Sequence, residues 1–422
     1  MVQRYYIETL GCPKNQVDSD KIAGKLIADG LVATEDASKA DVVVVNTCAF
    51  IEEARKESID TMLSLDDTRK RSSRLIVTGC MAERYGDELA EALPEADQVA
   101  GFGVPLQLTR KPIAVTGEIP KFDLLNLPRP KSTSPWAYVK IAEGCDRSCG
   151  FCAIPSFRGP QRSRDVASIL TEVEQLEVRE VVLIAQDLAS YGKDRPDELG
   201  AGSIVQLVRD VAAMADWVRL LYLYPSDLSD ELIDAILDTG VPYFDLSLQH
   251  ASKEHLRRMK RWGDGPRFLE RIARIRTLSP DAAFRSNFIV GYPGETEEDH
   301  DQLLSFVRDA QLDWCGFFAF SPEDGTHALT LSNRVEEGLM NERLAELREL
   351  QDNISAERRD LLLGETIEVL VDEPGIARSF REAPEIDGVV QVPEHLEVGR
   401  FHTVVVEQVF GPDLIAIEAP GK

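Results

Sequence analysis

Six of the seven cysteines in this chain fall into two groups of three. The tighter group is Gly144-Cys145-Asp-Arg-Ser-Cys149-Gly-Phe-Cys152, a CxxxCxxC run inside one loop. Three thiolates this close can hold three irons of a cubane 4Fe-4S cluster. The fourth iron then stays open, and an open metal position is where a cofactor or substrate binds and reacts. A zinc knuckle or a set of reactive thiols is the competing reading, but a zinc site wants a fourth Cys or His nearby, and residues 153–165 contain neither.

Cys12, Cys48 and Cys80 are far apart in sequence yet similarly placed. Thr9-Leu-Gly-Cys12, Val45-Asn-Thr-Cys48 and Val77-Thr-Gly-Cys80 each close a β-rich run. In a parallel sheet the carboxyl ends of the strands share one edge, so three cysteines there would meet and make a second three-thiolate site. Gly11 and Gly79 beside them allow the backbone to approach a bulky group. A single cysteine at such a place is more often a small buried apolar residue. That reading is kept for Cys315, which lies inside the run Trp314–Phe320 without cysteine neighbours.

The elements that must position these groups read as α/β. Residues 1–125 alternate short β-rich runs (Tyr5–Leu10, Asp41–Asn46, Arg74–Thr78) with helical stretches, the pattern of a parallel sheet with crossover helices. Leu127–Pro135 is rich in proline and polar residues and reads as an exposed linker. Beyond it, residues 131–362 contain six predicted strands: Ala137–Ile141, Glu180–Ala185, Val218–Leu223, Tyr243–Leu248, Phe284–Val290 and Trp314–Phe320. Segments with helical apolar spacing, such as Ser203–Ala215 and Thr296–Ala310, separate them. Six βα units are too few for a closed eight-stranded barrel, so an open, partial (β/α)6 barrel is expected. A long polar helix near Arg334–Leu362 leads into residues 363–422, where Thr366–Val371, Val389–Val392 and Thr403–Val409 suggest a small β-barrel.

Other candidates are softer. Phe151 precedes the last cysteine of the loop; Ser247-Leu-Gln249-His250 and Phe288-Ile-Val-Gly291-Tyr-Pro-Gly-Glu295 end the fourth and fifth barrel strands, at the edge where such barrels bind cofactors. Arg158, Arg162 and Arg164 follow the cysteine loop and read either as a clamp for a substrate carboxylate or as solvated charge.

Lys plus Arg number 47 against 73 Asp plus Glu, a net charge of −26. Generic nucleic-acid binding needs a positive footprint, which the chain as a whole lacks, and a partner held by broad electrostatics should be basic. The apolar runs are far shorter than the roughly 18 residues of a membrane span and Met1–Leu10 has no signal-peptide pattern, so a cytoplasmic location is expected. An odd number of cysteines in such a chain points to metal or catalytic roles before disulfides.

Taken together, the CxxxCxxC loop, the three strand-end cysteines, Gly11-Cys-Pro-Lys-Asn-Gln-Val-Asp-Ser19, Asn46-Thr-Cys-Ala-Phe-Ile51 and Ile154-Pro-Ser-Phe-Arg-Gly159 resemble the radical S-adenosylmethionine (SAM) methylthiotransferase family along nearly the whole chain. The resemblance implies an N-terminal domain for an auxiliary cluster, a radical SAM core and a C-terminal TRAM domain. It implies two 4Fe-4S clusters, with Cys12, Cys48 and Cys80 as auxiliary ligands and Cys145, Cys149 and Cys152 as radical-cluster ligands. It further implies SAM bound with the help of Phe151, Gln249, Gly291 and Glu295, an electron donor and a sulfur donor. In this chain the superfamily's usual acid appears as Glu295, one residue later than the general pattern places it. The activity implied is addition of a methylthio group to the β carbon of an aspartate in the twelfth small-subunit ribosomal protein.

Two rivals frame that expectation. Relatives in the same family modify an adenosine of tRNA with the same clusters. From Leu363 to Lys422, however, twelve acids face Arg378, Arg381, Arg400 and Lys422, a net charge of −8, which repels phosphate and attracts a basic ribosomal protein. Glu382, Glu385 and Asp387 read as part of that acidic surface. A non-catalytic electron-transfer or scaffold protein, the second rival, would need neither a six-unit barrel nor an adenosyl pocket.

Overall fold

The computed structural model describes residues 2–102, 104, 106, 123–200 and 202–420. The N-terminal part runs β1 (Arg4–Thr9), α1 (Pro13–Ala28), β2 (Val32–Ala33), β3 (Val42–Thr47), α2 (Glu52–Thr68), β4 (Arg74–Gly79), α3 (Cys80–Ala92) and β5 (Gln98–Val99). The strands pair in parallel in the order β2-β1-β3-β4-β5. β3 and β4 are buried at every position, because helices cover both faces of a parallel sheet; this is why they read as continuous apolar runs.

A helical turn, α4 (Asp123–Asn126), and the proline-rich strap then lead to the core. The strap is exposed or half-exposed along its length, as the sequence suggests, and is anchored by one side chain. The buried Arg129 side chain lies 3.3 Å from Asp20 and 3.7 Å from Glu172 and donates to the Tyr138 carbonyl at 2.8 Å. Gly24 of α1 admits the strap, since a Cβ there would stand 2.3 Å from the Pro128 oxygen.

The core continues with β6 (Trp136–Lys140), β7 (Ala142–Glu143), α5 (Ile154–Arg158), β8 (Arg162–Ser163), α6 (Val166–Leu176), β9 (Glu180–Ile184), α7 (Pro196–Leu199), α8 (Ser203–Ala212), β10 (Trp217–Leu220) and α9 (Asp230–Leu237). It is completed by β11 (Tyr243–Gln249), α10 (Lys253–Arg258), α11 (Gly265–Leu278), β12 (Ala283–Val290), α12 (Glu297–Ala310), β13 (Trp314–Ala319) and α13 (Glu337–Asp360). Strands β6, β9 and β10 form one parallel trio and β11, β12 and β13 another, joined by a parallel bridge between Leu223 and Leu246. The result is the expected six-stranded open arc, with short β7 and β8 paired beside the cysteine loop. Helix α12 shows how local sequence sets such a unit. Thr296 and Asp299 close a capping box, and Leu303, Phe306, Val307 and Ala310 make the buried stripe.

An open arc cannot cover its own lumen. Here the inward side chains Tyr138, Val182, Ile184 and Tyr243 are closed off by Val17 of α1 on one side and by Leu370 and Ala383 of the C-terminal part on another. That part is a closed five-stranded barrel of β14 (Thr366–Glu373), β15 (Ile376–Arg378), β16 (Val390–Gln391), β17 (Phe401–Phe410) and β18 (Asp413–Glu418).

Charge placement departs from the expectation. Glu382 is fully buried; it lies 2.6 Å from Arg359 and accepts the Ser379 N–H at 2.8 Å and hydroxyl at 2.6 Å. The Asp387 carboxylate accepts from the Tyr243 hydroxyl at 2.6 Å and the Ala383 N–H at 2.9 Å, and burial pushes its pKa up to about 6. Of the three acids named above, only Glu385 is exposed. The others belong to the joint between barrel and core. Glu382→Lys is therefore expected to cost about 3–5 kcal/mol, since it sets a buried cation against Arg359. Exposed Glu365→Lys should stay within about 0.5 kcal/mol. Thermal unfolding of the two variants against the parent checks this, and equal midpoints would show that Glu382 is not a structural partner.

Candidate active site

The N-terminal cysteines converge at the carboxyl edge of the first sheet. Cys12 caps the start of α1, Cys48 follows β3, and Cys80 opens α3. The turns are built for glycine. Gly11 has φ +94° and a Cβ there would lie 2.8 Å from Cys48 Sγ, while Gly79 has φ +92° and its Cβ would lie 2.3 Å from Asn46 Oδ1. Asn15 ties the strand ends together by donating to the Leu10 carbonyl at 2.8 Å and the Thr47 carbonyl at 3.0 Å. Burial pushes the Cys48 thiol up to about 12, with Cys80 and Cys12 adding to the rise, so the three sulfurs act on one another. Cys80 is raised by burial in the same way.

The second triad occupies the loop between β7 and α5. Gly144, at φ +80°, lets the chain pass the Pro160 carbonyl, which a Cβ would approach to 2.1 Å. The Cys145 N–H donates to the Gly159 carbonyl at 3.1 Å, and Gly150 bridges outward, its N–H to the Met259 carbonyl at 2.7 Å and its carbonyl to the Ala328 N–H at 2.8 Å. Arg261 donates to Cys149 Sγ at 3.3 Å. Burial raises Cys145 to about 11 and Cys152 to about 12. All seven cysteines are free thiols. Two sets of three desolvated soft donors on glycine-cleared turns fit thiolate-bound iron, because metal binding removes the protons that burial otherwise retains.

Phe151 is half-buried and packs among Met259, Tyr292 and Phe320, which sets it beside the turn after β12. In that turn Gly291 has φ +84° and its N–H donates to the Glu295 carboxylate. Glu295 is buried and 3.3 Å from Arg343, so it acts by holding the turn. Gln249 ends β11 with φ +72°, a strained backbone for a residue with a Cβ. His250, His255 and Glu295 bring three ligand-capable atoms within 4.8 Å. They do not make a metal site. The His250 Nδ1 accepts the Ser252 N–H at 3.0 Å and the His255 Nδ1 faces the Arg258 guanidinium at 3.2 Å, so each Nε2 carries the ring's proton and has no lone pair to offer. Burial keeps both rings neutral, lowering His255 to about 4 and holding His250 well below the usual imidazole range.

Of the arginines after the cysteine loop, Arg158 and Arg164 are buried and engaged, neither solvated nor free to clamp a substrate, while Arg162 is half-buried. Buried Arg158 lies 3.0 Å from both Asp18 and Glu143, donates to Asn15 Oδ1 at 2.7 Å and donates to Cys80 Sγ at 3.0 Å. Arg164 is paired with Glu172 at 2.8 Å and donates to the Lys140 carbonyl at 2.9 Å. Arg162 donates to the carbonyls of Pro160 and Arg158. Arg158 thus welds the loop of one cysteine triad to a member of the other. Sequence reading missed this, as it missed Arg261 and Lys14. Lys14 is buried, and its Nζ sits 3.1 Å from the centroid of the Tyr222 ring. Burial lowers its pKa, while Cys12 and Asp245 pull it back up.

An open six-unit barrel with a CxxxCxxC loop after its first strand defines a radical SAM enzyme, and the model of the Radical SAM superfamily matches residues 139–307. Flanking matches are to "Uncharacterized protein family UPF0004" at residues 4–101 and to the TRAM domain at residues 363–417. Ribosomal protein uS12 methylthiotransferase RimO of Moorella thermoacetica is 41% identical over 96% of this chain and 97% of the relative. The RimO proteins of Streptomyces avermitilis and Synechocystis sp. are 40% and 39% identical, each over 98% of this chain and 96% and 97% of their own length. A radical SAM methyltransferase structure, TsrM from Kitasatospora setae, aligns at 14% identity and a TM-score of 0.49 over 83% of this chain and 89% of that one. The chain belongs to the RimO family of radical SAM methylthiotransferases. It is a transferase that works through a 4Fe-4S cluster and SAM. Among the described residues no helix is long and apolar enough to cross a membrane.

Proposed function

We propose that this enzyme adds a methylthio group to the β carbon of an aspartate in ribosomal protein uS12, with Cys145, Cys149 and Cys152 holding the radical cluster and Cys12, Cys48 and Cys80 holding a second 4Fe-4S cluster. The observation that carries the reading is the two separate cysteine triads, linked through Arg158, in one buried seam between the N-terminal sheet and the barrel. An unactivated carbon cannot be deprotonated by any side-chain base, so replacing its hydrogen needs a radical route. Cys145, Cys149 and Cys152 would hold the cluster through which an external reductant cleaves SAM, and Cys12, Cys48 and Cys80 would hold the cluster at which sulfur from an external donor is kept for methylation and transfer. The chain's own residues hold the parts in place. Gly11, Gly79 and Gly144 clear room for them, Asn15 and Arg158 lock the two triads in register, and the packed turn of Phe151, Gly291 and Tyr292 shields the SAM side from water. Gln249, Gly291 and Glu295 shape the strand-end edge where SAM would lie.

The domains are proposed to divide as 1–125, 131–362 and 363–422, with the last docking the substrate. Buried Asp372, Glu382 and Asp387 pair with Arg378, Arg359 and Arg285. What remains exposed is acidic: Glu365, Glu368, Glu373, Glu385, Glu394, Glu397, Glu407 and Glu418 are exposed, and Arg400 is the exposed cation among the described residues from 363 onward. Reversing Glu365, Glu368 and Glu407 to Lys is expected to slow uS12 modification severalfold, with the difference shrinking as salt rises, because such attraction is screened over about 8–10 Å. Rates at two salt concentrations check it. The deciding experiment offers the anaerobically reconstituted enzyme uS12 and unmodified tRNA in parallel and compares products by mass. A methylthio increment on an aspartate of uS12 is expected; methylthioadenosine in tRNA with unmodified uS12 overturns the reading.

A further inference from the structure

Lys14 is the second residue of α1, two positions after Cys12, and its side chain crosses the seam into the mouth of the barrel. It is 8% exposed. Its neighbours in the seam are fully matched: Lys140 is bonded to Asp18 and to Glu143 at 2.8 Å, Lys21 to Glu172 at 2.5 Å, and Arg158 to Asp18 and Glu143. Lys14 makes neither a hydrogen bond nor an ion pair with any described residue and has only the Tyr222 ring beneath it. Asp245 is already engaged, by the Tyr222 N–H at 2.9 Å and by Arg285 at 3.4 Å. Tyr222 itself is held at φ +66°, an unusual conformation for an aromatic residue, and that backbone sets its ring under the ammonium.

A desolvated ammonium resting on a π face, with three donors unused, calls for an anion from outside the chain. It follows Cys12 by two positions and reaches over Tyr222, just past the end of β10, so it lies at the strand ends of the barrel; the reacting carbon would lie there, between the two triads. In an aspartate the β carbon carries the carboxylate directly, so a group that grips the carboxylate also aims the carbon. An adenine presents no anion beside its ring carbons and would leave the ammonium stranded. We propose that Lys14 binds the carboxylate of the target aspartate and is the positioning and specificity residue for an acidic side chain. This inference rests on the aspartyl substrate argued above.

The test uses the reconstituted full-length enzyme as parent, Lys14→Met, Lys14→Gln and Lys14→Arg. Each is supplied with SAM, dithionite and sulfide and offered uS12 with its target aspartate intact or changed to Asn. Iron and sulfide content and the cluster EPR spectrum are recorded for each variant; if Met is poorly loaded, Gln and Arg carry the comparison. With the aspartate substrate, Lys14→Met is expected to lose about 100-fold in methylthiolation, the effect of removing a charge-assisted hydrogen bond from a buried site, and Lys14→Arg to recover part of it. With the asparagine substrate the parent should already be slow, and Lys14→Met should slow it little further. Equal losses on both substrates, or an altered cluster spectrum accompanying them, would assign Lys14 to the cluster and overturn the proposal. So would a Lys14→Met enzyme as fast as the parent. If the parent itself leaves uS12 unmodified, the reading of the function fails first, and this inference falls with it.

Discussion

Alanine at Cys145, Cys149 and Cys152 together is expected to abolish reductive cleavage of SAM, whereas alanine at Cys12, Cys48 and Cys80 should leave cleavage intact and abolish methylthiolation. The contrast follows from geometry. The first triad sits on one loop of the barrel and the second on three strand ends of another sheet, so each can be emptied while the other keeps its ligands. Iron should fall from about eight to about four per chain in either variant, as two three-thiolate cubanes require. Both variants should fold. Cys48 and Cys80 are small buried side chains, and shortening them to alanine removes little apolar surface. Iron and sulfide analysis, 5′-deoxyadenosine and methylthio product are measured on the same preparations. Unchanged iron in either variant would refute that ligand set, and product from the Cys12, Cys48, Cys80 variant would make the N-terminal cysteines structural.

Replacing Arg158 by Met is expected to cost about 3–5 kcal/mol of the stability that joins the N-terminal sheet to the core. Arg158 satisfies four partners on three elements, and its removal strands buried Asp18 and Glu143 with Lys140 as their remaining cation. Arg158→Lys should recover little, since a single ammonium cannot reproduce a planar fork that reaches Asn15, Cys80 and two carboxylates at once. The control is Arg257→Met: that side chain is 82% exposed and 3.7 Å from Glu254, so its loss should fall within about 0.5 kcal/mol. Because a chain of several domains need not unfold in one step, hydrogen exchange in α1 and α5 is the better probe than a single midpoint. Exchange in those helices no faster than in the parent would show that Arg158 is not the weld.

The parts of this protein visible in its sequence are those encoded by local period and spacing. The CxxxCxxC loop is one turn of chain, and the strand-end cysteines announce themselves because each follows a β-rich run. All six barrel strands lie within one or two residues of their expected starts, since each is a short apolar run bounded by a helical period. The C-terminal barrel is legible in part: β15 is three residues long, too short to show a period, and β18 goes unread although Leu414–Ile417 is an apolar run. What only the tertiary structure decided is the state of the charges. Arg158 reads as solvent-facing or substrate-facing from its neighbours in sequence, but its acids come from residue 18, 140 positions away, and from residue 143. Glu382 and Asp387 read as surface acids, yet Arg359 and Arg285 reach them from α13 and β12. Lys14 looks like any lysine in the first turn of a helix. It becomes an unpaired buried cation when α1 is laid across the open lumen and Tyr222 is brought beneath it. A side chain's tendency toward helix or strand is felt over a few residues, whereas whether its charge is solvated, paired or left waiting for a ligand depends on which distant segment folds against it.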